Sequence, residues 1–295
     1  MRATVLLNRG GGAAAADPAI GKTVTRALHE AGIDANVAMM DGGDIEAAAK
    51  ASVRRGDPVL IVGGGDGTIS AAASALAGSK TALGILPLGT LNHFARDLGL
   101  PLDIGEAAMA IARGQERKVD VAEMNGRIFI NNSAIGLYPM MVFDRDNQRR
   151  RLGRSKRLAM LVASARTLLR FHHQRLALTI NDRERRIDTP LLFVGNNDYT
   201  LEFPSVGQRE SVSDGKLCVL VLRSKSAPGF LAATARALFG RTRSDDMVRI
   251  DDVRELRVDS ARSMLAVSLD GETCRLPPPL DYRIRKGALK VIAPA

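Results

Sequence analysis

The sequence predicts an α/β domain with a parallel sheet, followed by an all-β domain of antiparallel sandwich type. Up to about residue 121, apolar runs of strand length alternate with longer helical periods. Two of those runs end in glycine turns, Asn8 to Gly12 and Gly63 to Gly67. Beyond that point short strand-like runs are separated by turn residues, with two helical interruptions. The predicted domains are 1–121 and 122–295.

Thr4 to Leu7 reads as a short strand that runs into Asn8, Arg9 and Gly10 to Gly12. The next segment ends as an amphipathic helix closed by Gly32. A strand over Ala35 to Met40 and a helix over Ile45 to Arg55 follow. Val59 to Val62 is a buried strand by its β-branched apolar run. Thr68 then opens an alanine-rich helix to Leu76, with its hydroxyl as the expected N-cap. Ala82 to Leu86 is a strand ending in Pro87, Leu88, Gly89 and Thr90, and Thr90 is the expected cap of a helix over Leu91 to Leu98. Asn92 and Arg96 stand four apart on one face of it, placed to bind phosphate or to fix the loop. The helix Ile104 to Arg113 completes this half.

In the second half, Asn125-Gly126 is a hairpin signal, and LALTIN, DTPLLFVGNN, GKLCVLVLRS, DDVRELRVDS, MLAVSLDGETCRL and LDYRIRKGALKVIAP read as strands. Helices are expected over Lys156 to Phe171 and Pro228 to Phe239. The pattern leaves open whether the last segment packs back on the first domain.

Ligands of parallel α/β sheets sit at the carboxyl ends of strands. Pro58 to Leu76 offers a strand, a glycine turn and a helix N-terminus in succession, which is an anion site in outline. Asp66 sits among Gly63, Gly64, Gly65 and Gly67. A carboxylate repels phosphate unless a cation lies between them, so the turn points to a nucleotide phosphate with Mg²⁺. No Gly-Lys-Ser/Thr follows, and Thr68 breaks the Gly-x-Gly-x-x-Gly spacing, so neither a Walker loop nor a dinucleotide fingerprint is present.

The chain has 295 residues, a net charge of +10 and a pI near 10.1. That balance favours anionic partners: phosphates, acidic lipid or nucleic acid. With no Trp and 4% aromatic residues, a base-stacking surface is not expected. Cys218 and Cys274 make neither a ligand set nor a disulfide framework and fit a reducing cytosol. No stretch reaches membrane-span length, so any membrane role is expected to be peripheral.

Arg145 to Arg175 is strongly basic, with Arg149, Arg150, Arg151, Arg154, Lys156, Arg157, Arg166, Arg170 and Arg175. Charge runs are commonly solvated faces; this density with interleaved apolar residues favours an anionic bilayer surface. No nucleic-acid motif accompanies the charge. Asp270-Gly271-Glu272 reads equally as a hairpin turn and as a carboxylate pair that takes a proton from a hydroxyl or holds Mg²⁺. Asp214-Gly215 raises the same choice, with the turn favoured.

GGGDGT at 63–68, PLGTLNHFARDL at 87–98, NNSAIGL at 131–137, SDGKL at 213–217 and LDGE at 269–272 appear in an order that resembles the diacylglycerol kinase catalytic family, which includes bacterial soluble lipid kinases. The resemblance runs over nearly the whole chain. It implies an ATP-binding α/β domain, a β-sandwich domain and a site in the cleft between them. Gly63, Gly64, Gly65, Asp66, Gly67, Thr68, Ile69 and Thr90 would contact ATP, with Asn8, Gly89 and Asn92 in the same set. Asp66 would join the Mg²⁺ and phosphate network. Glu272, with Asp270 beside it, would be the general base towards the lipid hydroxyl. Asp214 with the carbonyls of Ser211 and Lys216 resembles a structural Mg²⁺ site. Three positions depart from the family's usual pattern: Arg9-Gly10-Gly11-Gly12 where Pro-x-Ser-Gly follows the Asn, Met39 or Met40 in place of a threonine, and His93 in place of Asp.

The expected activity is transfer of phosphate from ATP to a lipid hydroxyl such as that of diacylglycerol, by a cytoplasmic enzyme at a membrane surface. An NAD kinase-like enzyme and a non-catalytic nucleotide- or lipid-binding regulator are the rival readings. The sequence names neither the lipid nor the oligomeric state, a homodimer included.

Overall fold

A computed structural model of the chain describes residues 1–10, 17–152, 173–200, 211–224, 226–238 and 246–294, with the single positions Val162, Arg166 and Arg209. The chain divides into two units. The first is Met1–Asn131 with Ser211–Gly215 and Arg285–Ala295; the second is Asn132–Glu210 with Lys216–Ile284. The expected boundary near residue 121 falls within a strand of the first unit, and the end of the chain belongs to that unit too.

The first unit alternates strands and helices: β1 (Arg2–Asn8), α1 (Ile20–Glu30), β2 (Asp34–Met40), α2 (Ile45–Arg55), β3 (Val59–Gly64), α3 (Asp66–Leu76), β4 (Ala82–Pro87), α4 (His93–Asp97) and α5 (Ile104–Arg113). The hairpin β5 (Gln115–Met124) and β6 (Arg127–Phe129) follows, turned by Asn125 and Gly126, both left-handed, as a type I′ turn requires. The parallel order is β2-β1-β3-β4, and the end of the last strand lies parallel to β4 through Val291 and Leu83. Strand side chains alternate between two cores. Leu6, Leu60, Val62, Leu83 and Ile85 pack with α2, α3 and α4; Val5, Leu7, Ile61 and Leu86 pack with α1 and α5. Helices therefore cover both faces, as a parallel sheet demands. The chain leaves β1 for β2 on one side and returns to β3 on the other, so the switch point lies at the carboxyl ends of β1 and β3.

Asp57 locks the segment between α2 and β3. Its carboxylate accepts from Ser52 Oγ at 2.6 Å, Arg55 Nη2 at 2.6 Å and Thr4 Oγ1 at 3.2 Å. The Ser52 hydrogen bond leads, with those of Arg55 and Thr4, in holding its pKa below the ordinary carboxylate value. A lowered native pKa contributes stability above the unfolded value of about 3.9, and that contribution disappears as pH falls through the native pKa. Asp57→Asn is therefore expected to destabilise the protein at about pH 7 and to differ little from wild type at about pH 2, by urea unfolding at the two pH values.

The second unit holds β7 (Asn132–Gly136), α6 (Leu137–Leu152), β8 (Gln174–Ile180), β9 (Arg183–Thr189), β10 (Leu191–Asn196), β11 (Leu217–Leu222), α7 (Ala227–Leu238), β12 (Met247–Val253), β13 (Glu255–Asp259), β14 (Leu265–Leu269), β15 (Glu272–Leu276) and the first part of β16 (Leu280–Ala293). One antiparallel sheet runs β12-β11-β10-β7-β14-β15; in the other, β16 pairs with β13, β13 with β8 and β8 with β9. The buried hydroxyls of Ser133 on β7 and Tyr282 on β16 meet at 3.0 Å and tie the two sheets together. Burial pushes the Tyr282 phenol well above its ordinary pKa. The expected antiparallel sandwich is thus the observed one.

Helix α6 was not expected. Its sequence signals are Gly136 at φ 113°, which ends β7, and Pro139 within the first helical turn. The expected helix Lys156 to Phe171 lies outside the described residues, except at Val162 and Arg166, as do Phe239 and most of the basic segment. Among the described residues, no helix is long and apolar enough to cross a membrane.

Candidate active site

The first unit's site forms at the switch point. Strand β3 delivers Gly63 and Gly64 opposite the end of β1, with Gly63 paired to Leu7. Gly65 is extended, and α3 begins at Asp66. The expected cap, Thr68, lies instead inside the helix, because the chain turns helical two residues earlier. Thr68 is buried, and its Oγ1 accepts from Asn8 Nδ2 at 2.7 Å. Asn8 Oδ1 accepts from the N–H of Gly10 at 2.9 Å, so Asn8 links its own glycine turn to α3. Gly11 and Gly12 lie outside the described residues.

The glycines are there for room, not for dihedral freedom. Gly63, Gly64, Gly65 and Gly67 all avoid the left-handed region. A Cβ on Gly63 would stand 2.5 Å from Leu7 Cδ2, and one on Gly64 would stand 2.6 Å from Thr68 Cβ. At Gly89 it would meet Gly65 Cα at 2.4 Å and Asn92 Oδ1 at 2.6 Å. The two loops touch backbone to backbone. Gly89→Ala is expected to lower stability by about 1–3 kcal/mol through overpacking, read from the urea midpoint.

Among the described residues, no side chain caps α3. Ile69 N–H reaches Gly65 O at 3.1 Å, which leaves the amides of Asp66, Gly67 and Thr68 without carbonyls inside the helix. The Asp66 carboxylate is half-buried beside them and, among the described residues, has no hydrogen-bond or ion-pair partner. It is a hard oxygen donor next to an anion-seeking helix end. That fits Mg²⁺, which takes one or two carboxylates and fills its shell with phosphate oxygens and water.

The loop before α4 is held by Asn92. The helix expected from Leu91 starts at His93, because Asn92 is left-handed at φ 51° and cannot belong to it. Thr90 is therefore not the cap; it is exposed on the loop. Asn92 is buried, accepts from Gly89 N–H at 2.9 Å and donates to the Gly89 carbonyl at 3.0 Å. Arg96 Nε donates to the Leu91 carbonyl at 3.0 Å. Of the two roles open for Asn92 and Arg96, the geometry shows loop fixation.

In the second unit, Asp270 and Gly271 are the two turn residues of the β14–β15 hairpin, at φ 46° and 86°. Glu272 opens β15, exposed, and its carboxylate has no hydrogen-bond or ion-pair partner among the described residues. Asp270 accepts from Asn132 N–H at 3.0 Å and donates its own N–H to the Asn132 carbonyl at 2.8 Å. Of the remaining expected ligands, Ser211 and Asp214 fall in the first unit and Lys216 in the second. Asp214 is exposed; the Lys216 carbonyl accepts from Asn197 N–H at 3.0 Å, and the Lys216 ammonium pairs with Asp198. Among the described residues, no three Asp, Glu, His or Cys side chains form a metal-holding group.

Residues 2–124 match the model of the diacylglycerol kinase catalytic domain, and residues 140–293 match that of the YegS C-terminal NAD kinase β-sandwich-like domain. The chain belongs to the diacylglycerol kinase family of lipid kinases. The diacylglycerol kinase of Bacillus subtilis (strain 168) is 27% identical over 254 residues, which is 84% of this chain and 82% of that protein. A Pseudomonas syringae pv. tomato protein named as a YegS-like lipid kinase is 30% identical over 259 residues, 86% of this chain and 82% of that one. The solved structure of a diacylglycerol kinase from Bacillus anthracis str. Sterne has the same fold, with a TM-score of 0.72 at 20% identity over 99% of this chain and 96% of that one. Yeast NADH kinase shares the fold more distantly, with a TM-score of 0.57 at 13% identity over 100% of this chain and 84% of that one.

Asp120 lies in none of the motifs that mark this kinase in its sequence. It is 1% exposed on β5, and its carboxylate accepts from Gly215 N–H and Gly287 N–H, each at 2.7 Å. Its own N–H donates to the Val212 carbonyl at 2.9 Å. One side chain thus attaches the Ser211–Gly215 segment, with Asp214, and the last strand to β5. The available signal was an acidic residue between Val119 and Val121 in a strand whose second half is buried.

Proposed function

We propose that this kinase transfers the γ-phosphate of ATP to the hydroxyl of a lipid acceptor such as diacylglycerol. The observation that carries the reading is the start of α3 at the switch point, where, among the described residues, no side chain caps the helix and the Asp66 carboxylate has no partner beside the first-turn amides. Those amides and the helix dipole would hold the phosphates, and Asn8, Thr68, Gly65, Gly89 and Asn92 would keep the turn in shape. Mg²⁺ at Asp66, when bound, would neutralise phosphate charge. Asp214 would hold a second, structural ion with carbonyl oxygens and water completing its shell.

In the reaction the acceptor oxygen bonds to the γ-phosphorus as the bond from that phosphorus to the bridging oxygen of ADP breaks. The hydroxyl proton goes to the Glu272 carboxylate, which is exposed and unengaged among the described residues. The positive segment from Arg145, with the net charge of +10, supports action at an anionic membrane surface, each basic residue near it adding about 1 kcal/mol.

The test is transfer of label from γ-labelled ATP with Mg²⁺ into a total lipid extract, with NAD offered in parallel. A labelled lipid supports the reading, and its chromatographic identity names the acceptor. Label in NAD alone replaces the reading with a nucleotide kinase. ATP binding without transfer to any acceptor replaces it with a regulator.

A further inference from the structure

Glu272 begins an edge strand. Among the described residues, strand β15 pairs with β14 alone, and the Leu269–Glu272 pair closes their hairpin. The Glu272 backbone thus lies at the turn end of that ladder, with α6 packed against the same strand. On the other side, β14 pairs with β7 up to Leu269 and Ser133. The next position along is Asp270, where the backbone has already turned left-handed and can no longer make a full strand pair. Its side chain takes over: Asp270 Oδ1 accepts the N–H of Asn132, while Asp270 N–H reaches the Asn132 carbonyl. This reciprocal pair extends the β7–β14 ladder by one step into the turn. It joins residues 138 apart in sequence.

We propose that Asp270 is a positioning residue: its carboxylate anchors the hairpin turn to Asn132 and so holds Glu272, two residues on, as the sole proton acceptor of the carboxylate pair. The inference rests on the kinase reading above and assigns the two acids different work. The contact with Asn132 asks two things of position 270: a hydrogen-bond-accepting side-chain oxygen and tolerance of left-handed backbone. Asparagine supplies both, since it keeps an Oδ1 acceptor and visits that region readily, but it cannot take a proton. Glycine tolerates the backbone but lacks the acceptor.

The experiment compares Asp270→Asn, Asp270→Gly and Glu272→Gln in labelled phosphate transfer, with hydrogen exchange at the Asn132 amide measured on the same proteins. Asp270→Asn is expected to keep kcat within about threefold of wild type with the same pH profile. Asp270→Gly is expected to lose most of kcat, with KM for ATP unchanged, and to exchange the Asn132 amide at least about tenfold faster. Glu272→Gln is expected to lose activity with the Asn132 amide still protected. The proposal is overturned if Asp270→Asn falls as far as Glu272→Gln while Asn132 stays protected, since Asp270 would then act chemically. It is also overturned if Asp270→Gly leaves the amide protected or kcat intact. Absence of transfer by wild type shows separately that the kinase reading has failed, and removes the positioning role with it.

Discussion

Glu272→Gln is expected to lower turnover by about 10²–10⁴-fold, the range for loss of a general base. The substitution keeps size and shape, and the Glu272 carboxylate has no hydrogen-bond or ion-pair partner among the described residues. Stability should therefore change by no more than about 0.5 kcal/mol, as at other exposed positions. The two readouts together are what give the experiment force. A fall in kcat with an unchanged urea midpoint and unchanged KM for ATP places the loss in the chemical step. Retention of wild-type kcat would remove Glu272 from that step and with it the proposed route of the proton.

Asp120→Ala is expected to cost about 3 kcal/mol or more, because hydrogen bonds to charged groups contribute about 1.5–3 kcal/mol each and two are lost. Both acceptors vanish from a site that is 1% exposed, leaving the Gly215 and Gly287 amides without this partner. Asp120→Asn should fall between, since the carboxamide keeps one acceptor oxygen and turns an NH₂ group towards the other amide. Urea unfolding of the first unit, followed by hydrogen exchange at Gly215 and Gly287, checks both variants. A loss confined to Gly215 and Gly287 exchange, with global stability kept, would mean that the segment only docks on β5 and does not support it.

Much of the fold was legible because periodicity is local. Helix Ile45–Arg55 was read to its ends, and its stop is a left-handed Gly56. The Asn125-Gly126 and Asp270-Gly271 turns were legible because type I′ geometry needs two left-handed residues, and these pairs supply them. Two expected caps, Thr68 and Thr90, are not caps, for one reason. Thr68 and Thr90 are good cap residues, but a cap depends on where the chain first turns helical. That point was set by Gly65 packing against Gly89 and by Asn92 turning its carboxamide back on its loop.

By itself the sequence determined the order of strands and helices, the β-α-β rhythm of the first unit, the hairpins of the second and the glycine turn with its single acid. These follow from which side chains must leave water and which backbones need glycine or asparagine. Tertiary structure alone decided what each polar group does. Asn8 finds Thr68, 60 residues away; Asp120 finds Gly215 and Gly287; Asp270 finds Asn132. A buried polar group must be satisfied, but its type says nothing about its partner. That choice rests on strand register and chain reversal, which bring distant amides within 3 Å only once the sheets have formed.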